Sequence, residues 1–385
     1  MSHLCLYNLA MVGLADTRLD RKETEVNPRY DADWFRVLAF GFLILHHAAL
    51  AFKPWGTYLL LIWNEGSFLG ATQFVDILNI WAIPMLFVAS GMGLLLAMEQ
   101  RNWKQLVGDL AHRVFVPLAF GTFVVGPLSL AIAFGHYYGK AAYIPTPGHL
   151  WFLGNLLIYV SLLLPILIWV KRRPSNWLVR GFEHLVGAGR GLGVVLLIAP
   201  AVLEAVLMNP MDYTSYAFRL HGLVLGFICF LLGLLFVSSG ETGKRSVERL
   251  RFGALALGCA LTVNRLFDFW NPLSALLALE SMSWIIAIWG FTSRHLGKPS
   301  KTLRYVSSAV FPVYVLHVPV QIFVSSFLMP LGIHAFPKFL LLVMLTLGGS
   351  IGLYEIIKRI PWIRSLLGME WLPRNESLAR QRETG

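Results

Sequence analysis

The sequence predicts an all-α polytopic membrane protein with about ten transmembrane helices and both termini cytoplasmic. Three observations carry that prediction. The 385-residue chain is 56% hydrophobic and only 14% charged, with a mean hydropathy of +0.63; a soluble domain has about 25% charged residues. Apolar stretches of about 20 residues, long enough to cross the hydrocarbon of a bilayer, recur along the chain. The basic residues alternate in side. Of the 32 Lys and Arg, 27 fall in the N-terminal segment through Arg36, in Arg101–Arg113, Lys171–Arg190, Lys244–Arg251 and Arg294–Arg304, or from Lys358 onward. Lys53, Lys140, Arg219, Arg265 and Lys338 remain for the other side. This is the positive-inside pattern. The net charge of +11 is therefore topological, facing anionic lipid or a cytosolic anion, and does not mark a nucleic-acid binder.

Residues 1–32 read as a polar cytoplasmic tail, 33–360 as one transmembrane domain and 361–385 as a cytoplasmic C-terminal tail. The expected spans are roughly 34–52, 74–97, 114–135, 150–170, 191–208, 218–238, 252–269, 273–292, 306–329 and 337–357. Short connections leave no room for a soluble domain between them. The longest cytoplasmic connection, about 171–190, is rich in Gly and Arg. The outer loops 53–73 and 136–149 are rich in Gly, Pro and aromatics, and such loops can shape the mouth of a cavity. No fixed-period repeat is present. Cys5, Cys229 and Cys259 imply no disulfide framework, and the opening "MSHLCLYNLAMVGLADT" lacks the basic start of a signal peptide.

Ionisable groups at membrane depth are costly and usually face an interior or a water-filled cavity. The first span, "DWFRVLAFGFLILHHAALAF", holds Arg36 and His47 eleven residues apart. Three helical turns put them on one face, about 16 Å apart along the axis. Asp33 shares that face, and His46 points elsewhere. Arg113 and Pro117 open the third span, His149 precedes Trp151 and Phe152 at the fourth, and His317 lies between two prolines in "FPVYVLHVPVQIF". Asp76, Asn79, Asn155, Glu204, His221, Asn264, Arg265, Asp268, Glu280 and Gln321 are further polar residues at depth. Together they predict a hydrated cavity. Arg265 and Asp268, one turn apart, could equally pair with each other.

These stretches carry a resemblance. Arg36 and His47 spaced by ten residues, "PMLFVASGMG", Arg113 with Pro117, "GHLWFL" and "VYVLHVPV" occur in an order that resembles the acyltransferase-3 family of integral membrane acyltransferases. The likeness runs from about Tyr30 to Lys358 and is nearest the stand-alone members that modify periplasmic glucans. It implies an O-acyltransferase of the bacterial cytoplasmic (inner) membrane. Such an enzyme moves an acetyl or succinyl group from cytoplasmic acyl-CoA to a hydroxyl of an extracytoplasmic carbohydrate, without a tightly bound cofactor. His47 becomes the catalytic residue, as general base or transient acyl carrier. Arg36, Arg113 and Asp33 belong with the donor, and His149 and His317 position the acceptor or relay a proton. The rival classes are a proton-coupled transporter or exporter, which also uses intramembrane His and carboxylates, and a haem-binding bundle with paired histidines. Oligomeric state is not encoded in any pattern we read.

Overall fold

The computed structural model describes residues 29–369 apart from 55, 57–60, 69, 101, 172–180, 182–183, 185–191, 268 and 270–272. Residues 1–28 and 370–385, Cys5, Asp268 and most of the 171–190 connection lie outside the described residues. Ten long helices are present among the described residues: α1 Tyr30–Leu50, α2 Ala71–Gln100, α3 Trp103–Tyr138, α4 Trp151–Lys171, α5 Leu192–Met208, α6 Leu220–Ser238, α7 Gly240–Leu266, α8 Ser274–His295, α9 Lys301–Leu328 and α10 Ala335–Ile357. A short helix, α11 Pro361–Leu366, follows. No strand occurs among the described residues.

Eight of the ten are long and apolar enough to cross a membrane. The two that fall short were both expected as spans. Helix α5 has 17 residues. Helix α7 opens with Glu241, Lys244, Arg245, Glu248, Arg249 and Arg251 before turning apolar, so its hydrophobic part, from residue 252 to Leu266, covers about 22 Å of helix.

Helix α1 starts inside the segment read as tail, because Asp31 and Asp33 sit in its first turn, where the positive end of the helix dipole favours carboxylates. Arg29 grips Asp31 through two hydrogen bonds of 3.0 and 3.1 Å, and Ser293 of α8 donates to the same carboxylate. Helix α3 opens with a capping box, in which Asn102 and Gln105 satisfy each other's backbone N–H.

Helix α2 is the axle of the bundle: 89% of its most apolar stretch is buried, against 33% for α3 and 22% for α10, which lie on the outside of the bundle. Helix α6 lies directly on α2. A Cβ on Gly91 would stand 1.9 Å from the Phe230 carbonyl oxygen, and one on Gly233 would stand 1.9 Å from that of Val88. Only glycine permits backbones this close, the usual device for helix packing where lipid removes the hydrophobic drive.

The chain does not leave the bundle at residue 360. Leu367 is fully buried in the main core, and Gly368, at φ +70°, lies against Phe311, Pro117 and the Arg113 carbonyl. His112 also meets the Met369 carbonyl at 3.4 Å. Residues 361–369 thus pack across the end of the bundle that holds Arg113.

Candidate active site

A π turn and a proline in α3 and one proline in α9 build the site. In α3, Gly121–Val125 is a π turn in which Gly126 N–H bonds to the Gly121 carbonyl, so the Thr122 carbonyl loses its α-helical donor. Pro127 has no N–H to give to Phe123. Both released carbonyls are taken up by the segment that follows α3. Thr146 N–H donates to Thr122 at 3.0 Å, and the Tyr143 hydroxyl donates to Phe123 at 2.9 Å. From Tyr138 back to Thr122 is about 24 Å of helix, so residues 140–147 turn back and descend along α3. Non-helical backbone at this depth is tolerated only where protein satisfies it, as here.

The descending segment delivers His149, at the start of α4, to mid-bundle rather than to the membrane edge. There it meets α9. Pro319 lacks the N–H that would bond Val315, and the His149 ring lies against the Tyr314 and Val315 carbonyls, with Nε2 3.2 Å from that of Tyr314. The Tyr314 hydroxyl returns a hydrogen bond of 2.8 Å to the His149 carbonyl.

His317 completes the cluster. Its Nδ1 is 2.6 Å from the Tyr314 carbonyl and its Nε2 is 2.7 Å from Nδ1 of His47. The His47 and His317 rings lie edge to edge in nearly one plane, with centroids 5.0 Å apart and planes 5° apart, and His149 stands edge-on to His317 at 5.1 Å. Gln321, one turn further along α9, donates to the His47 carbonyl at 2.7 Å. His317 is fully buried, whereas His47 and His149 are partly exposed. Three histidines separated in sequence by more than 100 residues each thus meet. His46 is buried beside Asn79 of α2, with its ring centroid 5.7 Å from that of His47. The direct bond between His47 and His317 leaves no space for a haem iron between those two nitrogens.

A carbonyl only accepts, so Nδ1 of His317 carries a proton. With both rings neutral, Nε2 of His317 is then an acceptor and Nδ1 of His47 the donor. That leaves the lone pair of His47 on Nε2.

The arginines lie elsewhere. Arg36 is buried at the start of α1 and pairs with Asp33 at 2.9 Å. Arg113, in the π turn Ala111–Phe115, pairs with Asp109 at 3.2 Å. Gly121 packs on Leu150, next to His149, which puts Arg113 about 12 Å of helix away from the cluster. The expected hydrated stripe from Arg36 to His47 is filled. Phe40 and Leu43, which occupy that face, are buried, and Phe40 packs edge-on against Tyr314 at 5.2 Å. An apolar plug separates the arginine end from the histidines because aromatic side chains of α1 and α9 fill the gap.

Several polar residues at depth serve the scaffold. Arg265 clamps Glu280 with bonds of 2.7 and 2.9 Å, and Thr262 adds a third, so Arg265 is held by α8. His221 joins Glu204 at 2.8 Å and the Tyr213 carbonyl at 3.0 Å. Lys53 pairs with Asp76 at 2.6 Å.

A family model described as an acyltransferase domain, that of the acyltransferase-3 family, matches residues 29–355. The chain belongs to the acyltransferase-3 family. It is a multi-pass membrane O-acyltransferase, and the transporter reading falls away. No curated protein and no solved structure matches the chain. Within this acyltransferase, sequence reasoning missed the carboxylate partner Asp109, although its four-residue spacing from Arg113 is an ordinary helical ion-pair signal. It also missed the hydroxyl and carbonyl of Tyr314, for which no sequence signal exists.

Proposed function

We propose that this acyltransferase takes an acetyl or succinyl group from acyl-CoA at the arginine end, in the bacterial cytoplasm, and transfers it to a carbohydrate hydroxyl, such as that of a periplasmic glucan or surface polysaccharide. The acceptor approaches from the opposite end, across the cytoplasmic membrane. The observation that carries this reading is the hydrogen-bonded chain His47–His317–Tyr314 carbonyl, which leaves His47 Nε2 as the free basic nitrogen in a partly exposed ring.

The chemistry balances on these residues. The acceptor hydroxyl gives its proton to His47 Nε2 as its oxygen attacks the thioester carbonyl. The C–S bond breaks, the ester forms, and the departing thiolate recovers the proton from Nε2. While His47 is cationic, its Nδ1–H is held by His317 Nε2, and His317 is held in turn by Tyr314. Arg36 and Arg113 suit the phosphates of CoA, since a guanidinium offers paired donors to an oxyanion. Donor binding then redistributes the bonds to Asp33 and Asp109. The acyl end must pass Phe40 and Tyr314, so donor binding opens the plug.

Purified protein in detergent, supplied with acyl-CoA and a glucan, tests the reading. Arg36→Ala and Arg113→Ala should raise the apparent donor KM about 10- to 100-fold, the value of a lost charge-assisted bond, with the acceptor KM little changed. Unchanged donor kinetics in both variants, or substrate movement in vesicles without release of CoA, would reject it.

A further inference from the structure

A cleft of about 610 Å³ lies at the end of the bundle opposite the arginines, between the 63–67 segment, the end of α3 and the α9–α10 connection. Its lining includes Trp63, Asn64, Glu65, His136, His334 and Lys338. Asn64 N–H donates to the carbonyl of Ala51, one helical turn past His47. The cleft therefore opens within about 6 Å, along the α1 axis, of the level of the proposed base.

Lys338 is the unusual group. It is 5% exposed, and its ammonium donates to Asn64 Oδ1 at 2.8 Å and to the Met329 carbonyl at 2.7 Å. Both acceptors are neutral. An ammonium has three donors, which leaves one for the cleft that Lys338 lines. No carboxylate among the described residues lies within ion-pair distance, whereas Lys53 at the same end of the bundle has Asp76. Lys338 also stands in the first turn of α10, where the helix dipole is positive and disfavours a cation. A buried charge normally requires an opposite charge. His136 and His334 add donors, and Glu65, exposed at the rim, is the carboxylate in the lining.

We propose that this cleft is a binding site for an oxyanion, a carboxylate or phosphate group, whose third contact completes Lys338. It deepens the acceptor reading and rests on that reading for its role: the hydroxyl-bearing acceptor is acidic, held by its charge while a hydroxyl reaches His47. Binding itself is independent of transfer.

Isothermal titration of the purified full chain with glucose 6-phosphate, glucuronate and glucose tests it. The two anions should bind about tenfold or more tighter than glucose, the worth of a hydrogen bond to a charged group. Lys338→Met should erase that preference and Lys338→Arg should retain part of it. Ser67→Asp, at an exposed position on the cleft, should weaken anion binding even if Lys338→Met fails to fold. The titrations contain no acyl-CoA, so a failure of the acyl-transfer reading leaves this result intact. In nanodiscs, loss of glucose 6-phosphate binding when phosphatidylglycerol replaces phosphatidylcholine assigns the oxyanion to a lipid headgroup. Unchanged binding assigns it to a soluble acceptor. Equal affinity for glucose and both anions, an anion preference that survives Lys338→Met, or anion binding undiminished in Ser67→Asp overturns the proposal.

Discussion

The carbonyl of Tyr314 organises three imidazoles, and through them it decides which nitrogen of His47 is basic. It receives His317 Nδ1 and His149 Nε2, and the proton order along the chain follows. His317 acts on the reaction only through His47, so its substitutions separate positioning from packing. His317→Ala should lower kcat about 10- to 100-fold, as expected for a hydrogen bond to a charged group. His317→Gln, whose amide oxygen can still accept from His47 Nδ1, should recover part of that loss with unchanged donor KM. Equal kcat values for the two variants would mean that the ring fills space and nothing more. At this scale the sequence was informative about identity and silent about contact. Arg36 and His47 stand out through their spacing on one helix, and His317 through its flanking prolines. That His47 and His317 touch, 270 residues apart, has no local signature. Lys338 reads as one of five outer basic residues, and only the tertiary structure reveals that its partners are uncharged.

Among the elements, α3 departs furthest from the sequence reading. Hydropathy locates it but cannot register π turns, and the loop 136–149 looked like an outer-surface connection. The π turn Gly121–Val125 and Pro127 matter because each releases a carbonyl that ties residues 140–147 down along the helix. Gly126 sits at that junction, where an added Cβ would come within 2.0 Å of the Thr146 carbonyl oxygen. Gly126→Val should therefore displace the segment and His149 with it. We expect activity to fall about 100-fold, the effect of an ångström-scale misplacement of a catalytic group, with membrane insertion and abundance retained. Wild-type activity in that variant would show that the position of His149 does not matter. The other element-level differences have simple causes. Helix α7 is longer than the expected span because charged turns precede its apolar run, and residues 361–369 looked like tail because their anchor, Leu367, is a single buried side chain beyond the last long apolar run.

On the scale of the whole molecule, the bundle has two ends with different chemistry and a barrier between them. Arg36, Arg113, Asp33 and Asp109 mark one end, the 610 Å³ cleft with Lys338 marks the other, and Phe40, Leu43 and Tyr314 lie between. The histidines sit on the cleft side of that barrier. Under the proposed function, the thioester reaches the histidines through the plug and the hydroxyl reaches them without crossing it. Class and family were legible because lipid imposes composition and spacing on the whole chain. The plug was not, since Phe40 and Leu43 read as ordinary span residues. The central claim, that His47 Nε2 takes the acceptor proton, is tested most directly by single-turnover release of CoA from acyl-CoA and acceptor with purified wild type and His47→Ala. The account predicts that the variant is slower by about 10²- to 10⁴-fold, the contribution of a positioned general base, with unchanged donor affinity. Release of CoA and formation of ester at the wild-type rate in His47→Ala would contradict it.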